Sequence, residues 1–193
     1  MTEIKIYPLP PQTDCESVAV LKALNGASRA LGQLKGEISK IPNSQILLDT
    51  LILQEAKDSN EIENIVTTDD EMYQASIDET VASITAKEAL NYASAIKLGL
   101  DIVKDKGLLT TNDIFRIQNI IAPNHPIRKV PGTVLKNPKT EEVVFTPPQD
   151  YNEITALLRN LEQYINLPEF HAIDPLIKMP IIHFMMETAE RGA

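Results

Sequence analysis

The sequence is poor in cysteine and in long apolar runs. One cysteine, Cys15, excludes an internal disulfide framework and suits a reducing compartment, so we expect a cytoplasmic protein. Cys15 lies in an early proline-rich stretch with no base signalled nearby, which favours an inert thiol over a nucleophile. No run of about 18 apolar residues occurs, and no basic segment followed by an apolar run opens the chain, so we expect neither a membrane span nor a secretory leader.

Positive charge is also scarce, because 18 lysines and arginines stand against 27 acids, for a net charge of -9. Nucleic-acid binding needs a basic footprint, so we do not expect it as the main activity. His125, His171 and His183 are scattered without the spacing of a metal site. No glycine-rich phosphate loop occurs, and His125-Pro126 is followed by Ile-Arg-Lys-Val, which favours a turn. The sequence therefore predicts no metal ligand and no catalytic residue.

Helical spacing dominates what is present. Apolar residues from Ser17 to Ile38 predict a first helix, and Ser44 predicts the start of a second helix that runs to about Asn64. Three glycines (Gly26, Gly32 and Gly36) weaken the first helix, and close packing against a neighbour is one plausible reason for them. With 43% hydrophobic residues, the chain is long enough for one globular domain or for a domain with an N-terminal extension.

Capping signals set the later helix boundaries. Capping boxes are predicted at Thr68 with Glu71 and at Thr85 with Glu88, and each would open a helix. Gly107 is predicted to end one helix, and Thr110 or Thr111 to begin the next. Asp150 with Glu153 is predicted to cap the following helix, and Pro175 after Asp174 to begin the last one. The chain is therefore predicted to be mostly α-helical.

One β-hairpin is predicted between these helices. Thr133–Leu135 and Glu142–Phe145 are short β-branched or apolar runs, and Asn137–Thr140 suits the turn between them. The last helix carries an apolar face that consists of Leu176, Met179, Ile182, His183 and Met186. Because His183 lies between apolar neighbours, a packed and hydrogen-bonded core histidine is favoured there over a ligand.

The segment from Ser59 to Asn64 carries the strongest functional signal. Ser59 and Glu63 are four residues apart, so a helix places them on one face. Glu63 would sit in the last turn, where the negative end of a helix disfavours an anion, and this suggests a cationic partner elsewhere. Asn64 suits the left-handed cap that ends such a helix. On physics alone, a solvated acid in an acidic protein remains the favoured interpretation.

Several ordered segments resemble proteins of the Fic family. Ser59-x-x-x-Glu63-Asn64 resembles that family's inhibitory motif, and Ala89–Ala95 resembles its first core helix. Arg128–Pro148 resembles the target-docking flap and the proline pair after it. Leu161–Asn166, Asp174–Lys178 and Ile182–Phe184 resemble the helices that lead to the active site. The resemblance covers most of residues 44–188.

The resemblance implies a Fic-like helical bundle with one hairpin flap, in which residues 1–84 form an N-terminal helical region with the inhibitory motif and residues 85–193 form a partial Fic core. The flap positions are Thr133, Val134, Leu135, Val143, Val144 and Phe145. Members transfer AMP from ATP, with magnesium, onto protein hydroxyls. Their inhibitory glutamate, here Glu63, pairs with an arginine of the catalytic loop.

That catalytic loop reads His-Pro-Phe-x-Asp-Gly-Asn-Gly-Arg in a typical member, whereas this sequence continues from Ile182-His183 to Glu187–Ala193 without it. The family's catalytic residues therefore carry over to no position, and we expect the C-terminal part of the fold to be missing, the polypeptide to be inactive alone and its binding of ATP to be doubtful.

Four interpretations remain open at this stage. The first is a truncated or degenerate Fic protein, inert as an AMP transferase, that derives from or complements an active one. The second is a helical interaction module that binds peptide at the flap edge. The third is an enzyme completed by another chain, and the fourth is a helical domain with chance motif matches. The expected partners are a protein target, a complementary chain or a second copy. For a complementary chain or a second copy, the apolar face of the final helix is the predicted contact.

Overall fold

The computed structural model describes residues 8–38, 40–62, 65–78, 83–123, 129–137 and 139–190. Within these residues the chain forms seven α-helices and one two-stranded antiparallel sheet, so the prediction of a mostly helical protein with one hairpin is confirmed. The chain divides into two compact units. The first consists of Met1–Leu34, Leu109–Thr111 and Ile127–Ala193, and the second of Lys35–Leu108 and Asn112–Pro126. The predicted domain boundary at residue 84 stays a prediction.

The helices follow the apolar periodicity of the sequence closely. The elements are α1 (Val18–Ile38), α2 (Ser44–Ile62), α3 (Asp69–Ile77), α4 (Ile84–Lys106), α5 (Thr111–Ile121), β1 (Leu135–Lys136), β2 (Val143–Phe145), α6 (Tyr151–Asn166) and α7 (Pro175–Glu190). A 3₁₀ turn, Pro168–Phe170, lies between α6 and α7.

Most of the predicted helix boundaries are confirmed by their capping contacts. At the start of α3, the Thr68 hydroxyl accepts from the Glu71 N–H while the Glu71 carboxylate accepts from the Thr68 N–H. At the start of α6, the Asp150 carboxylate accepts from two successive backbone N–H groups. Gly107 ends α4 with a left-handed φ of 69°, which glycine adopts without strain.

The predicted capping box at Thr85 and Glu88 is wrong. Helix α4 begins at Ile84, and Ser83 is its N-cap, because the Ser83 hydroxyl accepts from the Ala86 N–H at 3.2 Å. Thr85 therefore lies inside the first turn. Ser83 and Thr85, two positions apart, are both hydroxyl residues that suit a helix start, and the extended backbone of Ser83 decides between them.

The expected packing of the α1 glycines is also wrong. A side chain added at Gly26, Gly32 or Gly36 would have no atom within 4 Å, because α1 buries none of its own residues.

The expectation of a core histidine at His183 fails as well, since this residue is exposed. Among the α7 side chains that the structure describes, Ile177 and Met185 are buried. Residues adjacent in sequence point to different faces of a helix, so apolar neighbours at positions 182 and 184 did not place His183 in the core.

In the second unit, α2, α3 and α4 pack around a cluster of small and flexible side chains. Its buried members are Ile52, Ala56, Met72, Ala89 and Ala93. Alanines at two positions of α4 let the backbones approach closely, while Met72 fills the space between them. Nearby, the buried carboxylate of Asp113 on α5 pairs with the Lys106 amine at 2.7 Å, which offsets the free energy of removing that charge from water.

In the first unit, α6 supplies the core. One face of α6 buries Ile154, Leu157, Leu158, Leu161 and Tyr164 against elements that include α7. Each fully buried Leu or Ile of this kind contributes about 1.5–3 kcal/mol of transfer free energy. Tyr164 shares a hydrogen bond of 2.9 Å with the Nδ1 atom of His171, and burial raises the Tyr164 pKa to about 12.

Two asparagines on α6 tie distant chain segments to this helix. Asn160 accepts from the Leu9 N–H at 2.6 Å and donates to the Leu9 carbonyl at 2.9 Å. Asn166 forms the same pair of bonds with the N–H and carbonyl of Leu109, at 2.9 and 2.6 Å. A side-chain amide that uses both its donor and its acceptor on one backbone position imitates a strand pairing, so each asparagine fixes its segment in one register.

Candidate functional site

The C-terminal end of α2 carries the predicted inhibitory segment. Ser59 is half-buried, and its hydroxyl donates to the Glu55 carboxylate one turn earlier at 3.0 Å. Ile62, the last residue of α2, is 78% exposed. The other two predicted inhibitory residues, Glu63 and Asn64, lie outside the described residues. The serine of the motif is thus oriented by a neighbour on its own helix.

The chain on both sides of positions 63 and 64 is anchored. The Ile65 N–H donates to the Asn60 carbonyl at 2.9 Å, a bond across five residues of the kind that closes the end of a helix. The Lys57 amine contacts the Asp69 carboxylate at 2.7 Å and so connects α2 to the start of α3. This hydrogen bond raises the pKa of Lys57. The described residues on either side of positions 63 and 64 are therefore held by contacts within the second unit.

Asn60, inside the same segment, has a buried donor without a partner. Its side chain is 8% exposed, and among the described residues its Nδ2 atom finds no hydrogen-bond acceptor. An unsatisfied buried donor costs about 1–3 kcal/mol. Sequence reasoning passed over this residue, although a signal existed: Asn60 continues the four-residue spacing of the buried Ile52 and Ala56, so a polar residue stands on the core stripe of α2.

The predicted flap is a short antiparallel hairpin in the first unit. Leu135 pairs with Phe145 and Lys136 with Val143, and the register shifts between Leu135 and Lys136. The Asn137 N–H donates to the Glu142 carbonyl at 2.9 Å, and the Asn137 carboxamide accepts from the Lys139 N–H at 2.8 Å. The strands are shorter than predicted, since Thr133, Val134 and Glu142 lie just outside them.

Most flap side chains point outward. Val134, Leu135, Val143 and Val144 are between 37% and 48% exposed, whereas Phe145 is 7% exposed and Thr133 is half-buried. Phe145 and the buried Pro147 and Pro148 hold the base of the hairpin in the core of the first unit. The structure thus brings the six predicted flap residues together on one hairpin, with four apolar side chains exposed and one as an anchor.

A glutamine that sequence reasoning missed joins the two ends of the hairpin. The Gln149 carboxamide accepts from the Gly132 N–H at 2.7 Å and donates to the carbonyls of Thr133 at 2.9 Å and Pro147 at 2.6 Å. Gly132 has a φ of 124°, which only glycine adopts readily. Gln149 is 17 residues from Gly132, so no local pattern in the sequence announces the contact.

ATP and magnesium are the cofactors that the resemblance implies. Among them, no group of three histidine, cysteine or acidic side chains is arranged to hold a metal ion. The residues that would bind phosphate in the resembled family belong to a motif that this sequence does not contain. We therefore derive no catalytic step through the nucleotide.

Comparison with protein families identifies the segment that contains the candidate inhibitory motif. Residues 21–101 match the family described as Fic/DOC family N-terminal. This segment is therefore similar to the N-terminal region of Fic/DOC proteins. The matched range takes in most of α1, all of α2 and α3, and α4 as far as Asp101, so it includes Ser59, Glu63 and Asn64. The flap lies outside the matched Fic/DOC range. Within the described residues, no helix is both long enough and apolar enough to span a membrane.

Proposed function

We propose that this chain is the regulatory and target-docking part of a Fic-family system that transfers AMP from ATP to protein hydroxyls. The observation that carries the proposal is that the matched Fic/DOC N-terminal region contains Ser59-x-x-x-Glu63-Asn64 directly at the end of α2. A family-typical motif that follows a helix end suits a segment that presents one carboxylate to a partner.

In this proposal, Glu63 inhibits by pairing with an arginine of a Fic catalytic loop. A carboxylate and a guanidinium form strong, charge-assisted hydrogen bonds, and an arginine held in this way is withdrawn from ATP phosphates. The surroundings favour such a partner, since Glu55, Asp58 and Glu61 are exposed on the same helix. Their combined potential attracts a cationic loop and steers it towards the end of α2.

The hairpin is the proposed docking element for the protein target. Each strand has an outer edge with backbone groups that a short extended segment can pair with, and the exposed valines and leucine can contact its side chains. Gln149 and the buried Phe145 hold the hairpin in place before any target arrives. A preformed edge lowers the entropy lost on binding.

The 193-residue polypeptide itself is expected not to transfer AMP. Incubation with labelled ATP and magnesium, alone and with a cell lysate, should leave no label above a heat-denatured control. Glu63→Gly should also stay at background, because inhibition can be relieved only where a competent site exists. Labelling that follows the wild-type polypeptide through purification would contradict this expectation.

Inhibition in trans tests the proposed function directly. The chain is added in increasing amounts to a Fic/DOC-family AMP transferase from which its own inhibitory helix has been deleted. We expect AMP transfer to fall with dose, and Glu63→Gly to abolish the effect. Glu37→Gly is the control, since it removes an equally charged, exposed residue near the end of another helix, α1. Equal inhibition by both variants, or none by the wild type, would refute the proposal.

A second candidate function is a peptide-binding module without catalysis. The four exposed apolar side chains on a two-stranded hairpin favour it, since an open sheet edge accepts an extended peptide. The two candidates separate in the trans assay. A module that binds peptide at the hairpin but leaves AMP transfer unchanged would support the second candidate over the first.

A further inference from the structure

Helix α1 carries an apolar seam that nothing in the described structure covers. The helix has 21 residues and none of them is buried. Six of its apolar positions follow one another at intervals of four and three residues without a break. They are Val20, Leu24, Ala27, Leu31, Leu34 and Ile38, here called the α1 seam.

The exposure of this seam is high for aliphatic side chains. Leu31 is 52% and Leu34 is 50% exposed, while Val20 and Ile38 are 37% and 36% exposed. Among the described helices, the pairs in extensive contact are α2–α4, α3–α4 and α6–α7, and α1 belongs to none of them. Gly26, Gly32 and Gly36 have open space where a side chain would be.

The spacing of the seam indicates what kind of partner fits it. Alternating intervals of four and three average 3.5 residues, the repeat with which two α-helices keep a continuous seam in contact. A single helix packed in a globular core needs no such unbroken repeat over 19 positions. We propose that the α1 seam binds the α1 seam of a second copy of this chain, with the two helices antiparallel.

The antiparallel orientation follows from the sizes of the seam residues. A parallel pair would place Ala27 opposite Ala27 of the partner subunit, which leaves a void at the middle of the contact. In an antiparallel pair, Ala27 lies opposite Leu31 of the partner subunit, so a small side chain meets a large one. The outer layers then pair Leu24 with Leu34 of the partner subunit, and Val20 with Ile38 of the partner subunit.

The positions beside the seam do not oppose this pairing. They are Leu21, Ser28 and Lys35 on one side and Ala23, Ala30 and Glu37 on the other. Two alanines permit close approach of the backbones. The antiparallel arrangement also places the two copies of Lys35 at opposite ends of the contact, where their charges do not repel.

The size of the contact sets the expected strength. A helix of 21 residues is about 31 Å long, so the contact is one narrow strip along each copy. The six seam residues and the six beside them are fewer than the roughly 20–30 residues that each side of a standard stable interface contributes. We therefore expect a reversible dimer that dissociates on dilution. This inference does not depend on the proposed function.

Sedimentation velocity on the full chain, from about 10 µM to about 1 mM, tests the pairing. We expect the dimer fraction to rise over this range, and Leu31→Glu to weaken dimerisation at least about tenfold, since it inserts two carboxylates into the contact. Met179→Glu is the control, because Met179 is 63% exposed on α7. Dimers lost in the Met179 variant and kept in the Leu31 variant would move the contact to α7 and overturn the proposal, as would a wild-type chain that stays monomeric.

Cysteine cross-linking tests the orientation in a Cys15→Ser background. An equimolar mixture of Ala27→Cys and Leu31→Cys should form disulfide-linked dimers on mild oxidation, while neither variant alone should do so. In the antiparallel pair, identical positions are displaced by four residues, about 6 Å along the axis, in addition to the distance between the helices, which is too far for a disulfide. Dimers from Ala27→Cys alone would show a parallel pair and contradict the proposal.

Discussion

Helices α1 and α6 arise from the same sequence pattern and end in opposite environments. Both have an apolar stripe, and both were predictable from helical spacing alone. Helix α6 buries five residues of its stripe and holds two distant segments through Asn160 and Asn166. Helix α1 buries none of its residues. Amphipathic spacing thus predicts that a helix forms and which face seeks a partner, but it does not identify the partner.

The physical difference lies in long-range contacts. Each α6 asparagine satisfies both hydrogen-bonding groups of a backbone position far away in sequence, and each leucine of the stripe excludes water from its neighbours. The apolar stripe of α1 is not buried within the described chain, so its burial does not stabilise the fold. Without that burial, the formation of α1 depends on the intrinsic helix propensity of its residues, and three glycines lower this propensity.

The largest expected effect is on the core face of α6. Leu158 is fully buried, so Leu158→Ala should lower the free energy of unfolding by about 2–5 kcal/mol, because it removes apolar contacts and leaves a cavity. Leu31→Ala makes the same chemical change on α1 and should alter stability by no more than about 0.5 kcal/mol in dilute solution. Urea unfolding below about 10 µM measures both. Equal losses would mean that α1 has a partner within its own chain.

A smaller effect is expected at Asn160. Asn160→Ala removes both bonds to Leu9 and should lower stability by about 1–3 kcal/mol, while it exposes the segment that contains Leu9 to protease. Gln163→Ala, an exposed position on the same helix, controls for the change in helix propensity. Unchanged cleavage rates in the Asn160 variant would show that the buried side chain of Leu9 holds this segment alone.

The contacts that could be predicted from the sequence are those between residues close together in the chain. Contacts within a turn were predictable, as at Thr68 with Glu71, at Asp150 and at Gly107. The contacts of Gln149 and Asn160 join residues 16 and 151 positions apart, and no local pattern encodes them. The similarity to Fic/DOC N-terminal regions was accessible from the Ser59 motif, whereas the buried, unsatisfied amide of Asn60 became visible only in the packed structure.

A local effect is expected at the root of the hairpin. Gln149→Met keeps the size of the side chain but removes three hydrogen bonds to backbone groups. The backbone amides of the hairpin, above all that of Asn137, should exchange hydrogen about tenfold faster. This corresponds to a free energy of local opening that is lower by about 1.4 kcal/mol. The amides of α6 should not change, since the core of that helix is untouched. Faster exchange throughout the first unit would show a general structural role instead.

The smallest effect is a pH dependence at the start of α3. The hydrogen bond from the Thr68 backbone, followed by that from its side chain, lowers the pKa of Glu71 below its ordinary value of 4.5. A carboxyl with a lowered pKa in the folded state stabilises the fold above pH 4.5, and this contribution is lost as the pH falls through the lowered pKa. The difference in urea midpoint between wild type and Glu71→Gln should therefore be constant at neutral pH and shrink in acid.

The central claim is that the end of α2 and the hairpin are the surfaces that meet a Fic catalytic domain and its target. Hydrogen exchange of the chain, measured alone and with a Fic/DOC-family catalytic domain that lacks its own inhibitory helix, tests this most directly. We expect slower exchange between residues 57 and 68 on addition of the catalytic domain, and at residues 133–145 when a target protein is also present. Protection confined to α1, or no protection at saturating concentration, would contradict the account.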